Sequence, residues 1–224
     1  NLKAFEDLPW LNLVYDFHKD SRGRIWLGTR YHGLYRVDME KGGYVHLNER
    51  YEGLNCRAVY CFMEDVDENI WVGTDNGLFI LKSTGNGKKE YELYHSVHSQ
   101  MDSTSLSGNQ ITALFQDSRG EVWIGTMNQG LNRYSDNFVK QEMTYRRYQP
   151  RGRNLSGLRS RIINDIYEDS RDNLWIGTNG GGLVCYLPDQ DRFKNYLREE
   201  GLVADNVLSI LEARDSSLWL GTNK

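Results

Sequence analysis

Short apolar runs alternate with polar, glycine-containing turns along the whole chain, and five copies of one motif set their spacing. Each copy contains an aliphatic residue, Trp, a second aliphatic residue, Gly and Thr, in that order. We call it the Trp motif, and its tryptophans are Trp26, Trp71, Trp123, Trp175 and Trp219. Successive copies are 45, 52, 52 and 44 residues apart. Such self-similarity predicts that one supersecondary unit is repeated several times.

Each period predicts four short strands, A to D. Strand A is the apolar run before a turn rich in Asp, Ser, Gly and Asn, and it is predicted at 14–18, 59–63, 111–115, 163–167 and 207–211. Strand B carries the Trp motif. Strand C follows a Gly-containing turn, at 33–36, 77–80, 130–133 and 182–185. Strand D contains aromatic residues, at 44–47, 91–94, 145–148 and 193–196.

Four antiparallel strands in about 40–50 residues are typical of a β-propeller blade. The sequence therefore predicts an all-β fold, a β-propeller with about four complete four-stranded blades and partial blades beside them. The predicted blades are 11–48, 51–94, 109–148 and 161–196, with a partial blade at 206–222. Residues 1–8 resemble the end of a preceding strand D. Because open sheet edges favour aggregation, we expect a fragment of a larger propeller.

Two positions in the repeat predict how neighbouring blades pack. The residue ten before each motif Trp is small in every copy: Asp16, Cys61, Ala113, Asp165 and Ser209. Small side chains suit strands that crowd together where radially packed sheets converge. The motif Trp is expected to fill the wider gap between neighbouring blades, because its large ring buries much apolar area.

Charge and composition exclude two classes of protein. The 224 residues carry 27 Lys and Arg against 31 Asp and Glu, so no basic excess points to a nucleic-acid partner. No apolar run approaches the roughly 18–20 residues that span a bilayer. The three cysteines, Cys56, Cys61 and Cys185, do not make a disulfide framework, and we expect packing roles for them.

The repeat from Asp20 to Thr29, Asp-Ser-Arg-Gly-Arg-Ile-Trp-Leu-Gly-Thr followed by Gly-Leu, resembles the two-component regulator propeller repeat. The resemblance departs at Ala213, which replaces the turn Asp, and at Glu68, Asp172 and Ser216, which replace the turn Gly. It implies the periplasmic sensor region of a hybrid two-component system of Bacteroidetes. The whole protein would then contain two seven-bladed propellers, an immunoglobulin-like domain, one inner-membrane helix, a histidine kinase, a receiver and a DNA-binding domain.

The candidate catalytic and metal-binding residues have simpler interpretations. The turn residues Asp20, Asp65, Asp117 and Asp169 lie in different blades, so we expect them to bond turn amides rather than act as pairs. The segment 65–69 has the spacing of a calcium loop, but it lacks the Gly and the distal Glu. The turns also resemble the Asp-box of sialidases, yet no Tyr and Glu pair can be placed beside the arginines. We predict no catalytic residues, no metal and no cofactor in this fragment.

Binding is the better-supported chemistry. The A–B turns are uniform, whereas the B–C and D–A turns, which emerge together on one face, vary between copies, as binding loops on a repeated scaffold do. The candidate ligand-binding residues are Arg30, Tyr31, His32, Arg57, Asn128, Arg159 and Arg161. Their side chains suit an anionic or polyhydroxylated ligand. With the resemblance, they indicate a sensor of a glycan-derived oligosaccharide that signals to the kinase.

Two alternatives remain open. One is a propeller scaffold for protein–protein interaction or homodimerisation that has no small ligand. The other is a sialidase- or lyase-like enzyme. In each case the remaining blades and downstream domains of the whole protein are expected partners, and nucleic acid is not.

Overall fold

The computed structural model describes residues 13–38, 43–86, 89–137, 142–150 and 157–224, which form four four-stranded sheets and one two-stranded sheet. We call them blades 1 to 5. Blade 1 contains β1 (Val14–Lys19), β2 (Ile25–Thr29), β3 (Leu34–Asp38) and β4 (Gly43–His46). Blade 2 contains β5 (Val59–Glu64), β6 (Ile70–Thr74), β7 (Gly77–Asn86) and β8 (Lys89–Ser96).

The remaining blades follow the same order. Blade 3 contains β9 (Ile111–Gln116), β10 (Val122–Thr126), β11 (Leu131–Asn137) and β12 (Glu142–Tyr148). Blade 4 contains β13 (Ile163–Glu168), β14 (Leu174–Thr178), β15 (Leu183–Leu187) and β16 (Arg192–Tyr196). Blade 5 contains β17 (Val207–Glu212) and β18 (Leu218–Thr222). Strands that are consecutive in sequence are neighbours in every sheet.

The predicted fold class is confirmed: four four-stranded antiparallel blades are present, and each motif Trp lies on the second strand of its blade. Every A strand is one residue longer than the sequence predicted. The prediction for strand D of blade 1 is wrong at Leu47, which is buried and begins a one-turn helix, α1 (Leu47–Arg50). The segment 1–8, compared above with a preceding strand D, lies outside the described residues.

The turn between strands A and B has the same hydrogen bonds in blades 1 to 4. In blade 1, the Asp20 carboxylate accepts bonds from the amides of Arg22 (3.1 Å) and Arg24 (2.8 Å). It also accepts a bond from Nε1 of Trp26 (2.8 Å). Equivalent bonds reach the carboxylates of Asp65, Asp117 and Asp169. The predicted bonding of turn amides is confirmed, and the bond to the motif Trp adds a second role.

A bulge in strand A explains the small residues of the repeat. The pairing register of β1 shifts between Val14 and Asp16, and β5, β13 and β17 have the same shift. The residue after the bulge faces the Gly of the Trp motif, as Cys61 faces Gly73 in blade 2. A Cβ on Gly73 would lie 2.4 Å from Sγ of Cys61, so only glycine fits there. The crowding predicted at this position is confirmed.

The chain divides into two compact units, each with its own core. Unit 1 (Asn1–Val97 and Asn109–Ile111) contains blades 1 and 2. Unit 2 (His98–Gly108 and Thr112–Lys224) contains blades 3, 4 and 5, except for Ile111, the first residue of β9, which belongs to unit 1.

Two of the motif tryptophans, Trp26 and Trp123, pack between neighbouring blades, as predicted. In unit 1, the buried ring of Trp26 lies edge-on to Tyr91 of blade 2, with centroids 5.6 Å apart. In unit 2, Trp123 lies edge-on to Tyr186 of blade 4 at 4.7 Å. Trp219 of blade 5 differs, since it is 68% exposed.

A serine–glutamate pair joins successive A–B turns within each unit. Ser21 donates from its backbone N and its Oγ to the Glu64 carboxylate of the next blade, at 2.7 and 2.6 Å. Ser118 bonds Glu168, and Ser170 bonds Glu212, in the same way. The uniform A–B turns therefore have a structural role, because they bond neighbouring blades to each other.

Candidate functional site

The turn between β2 and β3 is fixed by the last residue of the Trp motif. Thr29 is fully buried, and its Oγ1 donates to the carbonyl of Gly33 (2.9 Å) and accepts from the amide of His32 (2.9 Å). The amide of Gly33 donates to the carbonyl of Arg57 (2.9 Å), which lies in the loop before β5. Gly33 has a φ of +75°, and a Cβ there would lie 2.2 Å from Oδ1 of Asn48. These contacts bring the β2–β3 turn and the loop before β5 to one edge of unit 1.

Arg30 and Tyr31 form the centre of this edge. Cζ of Arg30 lies 5.0 Å from the ring centroid of Tyr31 and 5.9 Å from that of Tyr15 in β1. The Tyr15 ring lies 5.6 Å from the ring of Tyr60 in β5. Tyr15 and Tyr31 are each 48% exposed, so both can contact a ligand. We call Tyr15, Arg30, Tyr31 and Tyr60 the tyrosine–arginine cluster.

His32 and Arg57 flank the cluster. Both side chains are exposed. The carbonyl of His32 contacts Nε2 of His46 at 2.9 Å, and the His46 ring stacks on Tyr35 at 4.4 Å. The loop that carries Arg57 is held by Asp75, because Oδ1 of Asp75 accepts bonds from the amides of Arg57 and Ala58, both at 3.0 Å.

The corresponding edge of unit 2 has the other three sequence-predicted residues. Thr126 fixes the β10–β11 turn, which carries Asn128, through a 2.8 Å bond from its Oγ1 to the carbonyl of Gly130. The amide of Gly130 in turn donates to the carbonyl of Arg161 at 2.8 Å. Asn128, Arg159 and Arg161 all have exposed side chains. The turn and the loop therefore meet in unit 2 as they do in unit 1, without the tyrosines.

Sequence reasoning missed Tyr15 and Tyr60. Each lies eleven residues before its motif Trp, and each is the extra residue of the bulge in strand A. A bulge leaves one residue outside the ladder and redirects its side chain. The equivalent residues are Thr112, Asn164 and Leu208. A comparison of this column of the repeat would have found the two tyrosines, because aromatic side chains occur there only in the first two copies.

The strand A carboxylates of Asp16 and Asp165 accept hydrogen bonds from backbone amides. Oδ1 of Asp16 accepts from the amide of Phe17 (2.8 Å), and its Oδ2 accepts from that of Phe62 (3.2 Å). Burial raises the pKa of Asp16, although these amides oppose the shift. Asp165 bonds Ile166 and Ile210 in the same way, and burial also raises its pKa.

The thiols and the suspected calcium loop have structural roles. Burial raises the pKa of Cys56 to about 11 and raises that of Cys61 further, so both stay protonated at neutral pH. All three cysteines are free. The Asp65 carboxylate accepts from Asn69 and Trp71, which are donors and not the oxygen ligands that calcium requires. Within the described ranges, no three His, Cys, Asp or Glu side chains are grouped to hold a metal ion.

The five repeats and their blades are those of a family of signalling β-propellers. The chain belongs to the two-component regulator propeller family, whose repeat matches residues 10–31, 53–76, 105–128, 157–180 and 201–224, just over half of the chain.

Two similar proteins agree with the assignment, and a third shares the fold. Histidine kinase P4 of Formosa agariphila is 26% identical over 215 residues, which are 93% of this chain and 15% of that protein. BT3049 of B. thetaiotaomicron, assigned to a hybrid two-component system, has an extracellular domain of similar structure (TM-score 0.76, 28% identity, 96% of this chain and 27% of that one). PorZ, a surface component of the type-IX secretion system of Porphyromonas gingivalis, shares the fold (TM-score 0.72, 18% identity, 94% and 31%).

These relatives are much longer than the chain, which covers less than a third of each. The family is one of regulator propellers, and the chain resembles an extracellular sensor domain rather than a catalytic one. No helix among the described residues is long and apolar enough to cross a membrane.

Proposed function

We propose that this chain is part of the periplasmic sensor region of a hybrid two-component signalling protein and binds a glycan-derived oligosaccharide. Ligand occupancy would be passed to a histidine kinase in the same protein, which would be anchored in the inner membrane. The membership of the regulator propeller family and the similarity to a histidine kinase and to an extracellular domain support the sensor role.

The edge of unit 1 that carries Arg30 is the observation on which oligosaccharide binding rests. The Thr and Gly residues of the repeat fix the backbone of the turn, while the side chains of Arg30, Tyr31, His32 and Arg57 stay exposed. Arginine supplies several N–H donors for hydroxyl groups, and a tyrosine ring supplies a flat apolar surface for a pyranose ring. In unit 2, Asn128, Arg159 and Arg161 supply donors at the equivalent edge.

A thermal-shift screen of the chain against an oligosaccharide panel tests this function. A ligand that binds only the folded state raises the melting temperature, and above Kd the stabilisation grows with the logarithm of the ligand concentration. We expect stabilisation by at least one oligosaccharide, and we expect Arg30→Ala and Tyr31→Ala to weaken its binding about tenfold or more, the scale of a charge-assisted hydrogen bond. Arg171→Ala, which changes an exposed arginine of an A–B turn, is the matched control and should bind normally.

The alternatives give different results in the same screen. A scaffold for other proteins or for homodimerisation would show no stabilisation by any saccharide, together with a concentration-dependent mass in solution. A sialidase- or lyase-like enzyme would convert the saccharide, which mass spectrometry of the incubated panel would detect.

A further inference from the structure

The tyrosine–arginine cluster of unit 1 differs from blades 3 and 4 in the residues that occupy the bulge position of strand A. Tyr15 and Tyr60 occupy the bulge position of β1 and β5, and their rings lie side by side, with centroids 5.6 Å apart and planes inclined by 35°. In blades 3 and 4 the same position holds polar residues that bond the next A strand. Oγ1 of Thr112 donates to the carbonyl of Ile163 (2.7 Å), and Nδ2 of Asn164 donates to that of Val207 (2.8 Å). The tyrosines thus replace a structural bond with an aromatic surface.

Arg30 adds a positive charge to this surface. Its guanidinium lies over Tyr31 at 5.0 Å and near Tyr15 at 5.9 Å. Contact with a ring uses the face of the guanidinium and leaves N–H groups at its edge for an anionic acceptor. Exposed rings can contact a flat apolar face of a ligand, and the cation beside them can bind a negatively charged group. The cluster therefore suits a ligand that has both.

The acidic neighbour of the cluster, Asp75, holds the loop that carries Arg57. Burial raises the pKa of Tyr60, and the charge of Asp75 adds to the shift. Oδ1 of Asp75 accepts the amides of Arg57 and Ala58. The exposed Arg57 side chain lies on the same loop and adds a second positive charge to this edge.

We propose that the tyrosine–arginine cluster binds an acidic saccharide, with a pyranose ring on Tyr15 and Tyr60 and its carboxylate or sulfate group on Arg30. This inference rests on the proposed oligosaccharide sensing and specifies both the ligand class and the unit that binds it. Tyr15 and Tyr60 become binding residues that the sequence did not indicate. The exposed N–H groups of Arg30 would make the site prefer acidic over neutral saccharides. The tyrosine rings would contribute to the binding of both.

Titration calorimetry with paired tetrasaccharides on the full chain tests the proposal. The acidic probes are tetramers of galacturonate, glucuronate, mannuronate and sulfated galactose, and each is paired with its methyl-esterified or desulfated neutral counterpart. We expect at least one acidic probe to bind about tenfold or more tightly than its neutral partner, the scale of a charge-assisted bond. Its affinity should fall as sodium chloride is raised from 0.05 to about 0.5 M, since salt screens exposed charges.

Variants separate the two halves of the site. Arg30→Gln should remove the preference for the acidic probe while the neutral partner keeps its affinity. Tyr15→Ala should weaken both members of the pair, and Tyr15→Phe should restore both, because a ring face is retained. Arg171→Gln, at an exposed arginine of an A–B turn in unit 2, is the matched control and should change neither. Circular dichroism of each variant checks that its fold is intact.

The possible failures of the two proposals are distinguishable. If a neutral tetrasaccharide binds as tightly as its acidic partner, or if Arg30→Gln and Tyr15→Ala leave affinity unchanged, the acidic-saccharide site is wrong and oligosaccharide sensing stands. If neither acidic nor neutral probes bind, both proposals fail.

Discussion

The indole Nε1 of Trp123 donates a hydrogen bond to Oδ2 of Asp117 across 3.0 Å, and both side chains are buried. The other carboxylate oxygen, Oδ1, accepts the amides of Arg119 and Glu121. One carboxylate therefore fixes the A–B turn and orients the ring that packs against the next blade. This explains why Asp and Trp occur together, six residues apart, in four of the five copies.

Replacing the carboxylate by an amide tests this link. In Asp117→Asn, the amide oxygen can still accept the turn amides, but the NH₂ group would face the indole donor. A buried donor without an acceptor costs about 1–3 kcal/mol, and we expect that loss in the free energy of unfolding. Urea denaturation followed by tryptophan fluorescence measures it. Asp215→Asn in the exposed fifth turn should change stability by less than about 0.5 kcal/mol, and an equal loss in both variants would contradict the link.

The motif tryptophans should differ in their contribution to stability according to their burial. Trp123 is fully buried against Tyr186, so Trp123→Ala should cost about 3–5 kcal/mol, the usual range for a core aromatic residue. Trp219 is 68% exposed, so Trp219→Ala should cost about 1 kcal/mol or less. Chemical denaturation of the two variants gives the comparison, and similar losses would show that the blades are packed differently.

Three of the A–B turns have a non-glycine residue in the left-handed region, where glycine is favoured. Asp172 has a φ of +61°, and the equivalent Gly120 has a φ of +80°. We expect Asp172→Gly to stabilise the protein by about 0.5–1 kcal/mol, because it relieves a left-handed conformation that costs a side-chain residue about 1–2 kcal/mol. The reverse change, Gly120→Asp, should be destabilising. Melting temperatures that shift in the same direction in both variants would refute the expectation.

Acid should weaken the Asp20 turn. Burial raises the pKa of Asp20, but the hydrogen bonds from Trp26 and Arg24 lower it by more. The pKa of Asp20 therefore lies below its ordinary value. A carboxylate of this kind contributes stability above its unfolded pKa of about 3.9, and that contribution is lost as the pH falls through the lower folded value. The stability advantage of the wild type over Asp20→Asn should thus be constant above about pH 5 and shrink below about pH 4. Urea unfolding at pH 7, 5, 4 and 3 measures it.

Asp16 provides the control of opposite sign. Burial raises its folded pKa, so its folded state binds a proton more readily than its unfolded state does. The wild type should therefore gain stability relative to Asp16→Asn as the pH falls toward 3, in the same urea experiment. Parallel curves for the two variants would mean that neither carboxylate has the environment described.

The spacing of the Trp motif predicted most of the fold, because a repeat that recurs five times leaves little freedom in register. The A strands were located to within one residue, and the glycines opposite Cys61 and Asp16 could be placed by their fixed distance from Trp. The error at Leu47 has a local cause: its apolar side chain fits either a strand or the buried side of a single helical turn.

The candidate site was predicted only in part. Loop variability indicated Arg30, Tyr31, His32 and Arg57, and the structure brings their two segments together through the bond between Gly33 and Arg57. Whether they bind a ligand remains a prediction. Tyr15 and Tyr60 could not be recognised from strand alternation, because an A strand with a bulge no longer alternates regularly between its two faces.

The sequence by itself determined the repeated unit, the order of its strands and the positions where only a small residue fits, since these depend on neighbours in the chain and on a period. The tertiary structure alone decided which side chains of different blades meet. The carboxylate of Asp117 reaches Trp123 within one turn, but the ring of Trp123 meets Tyr186 only after blade 4 has packed. The cluster of Tyr15, Arg30 and Tyr60 likewise depends on the contact of two sheets, which local spacing cannot specify.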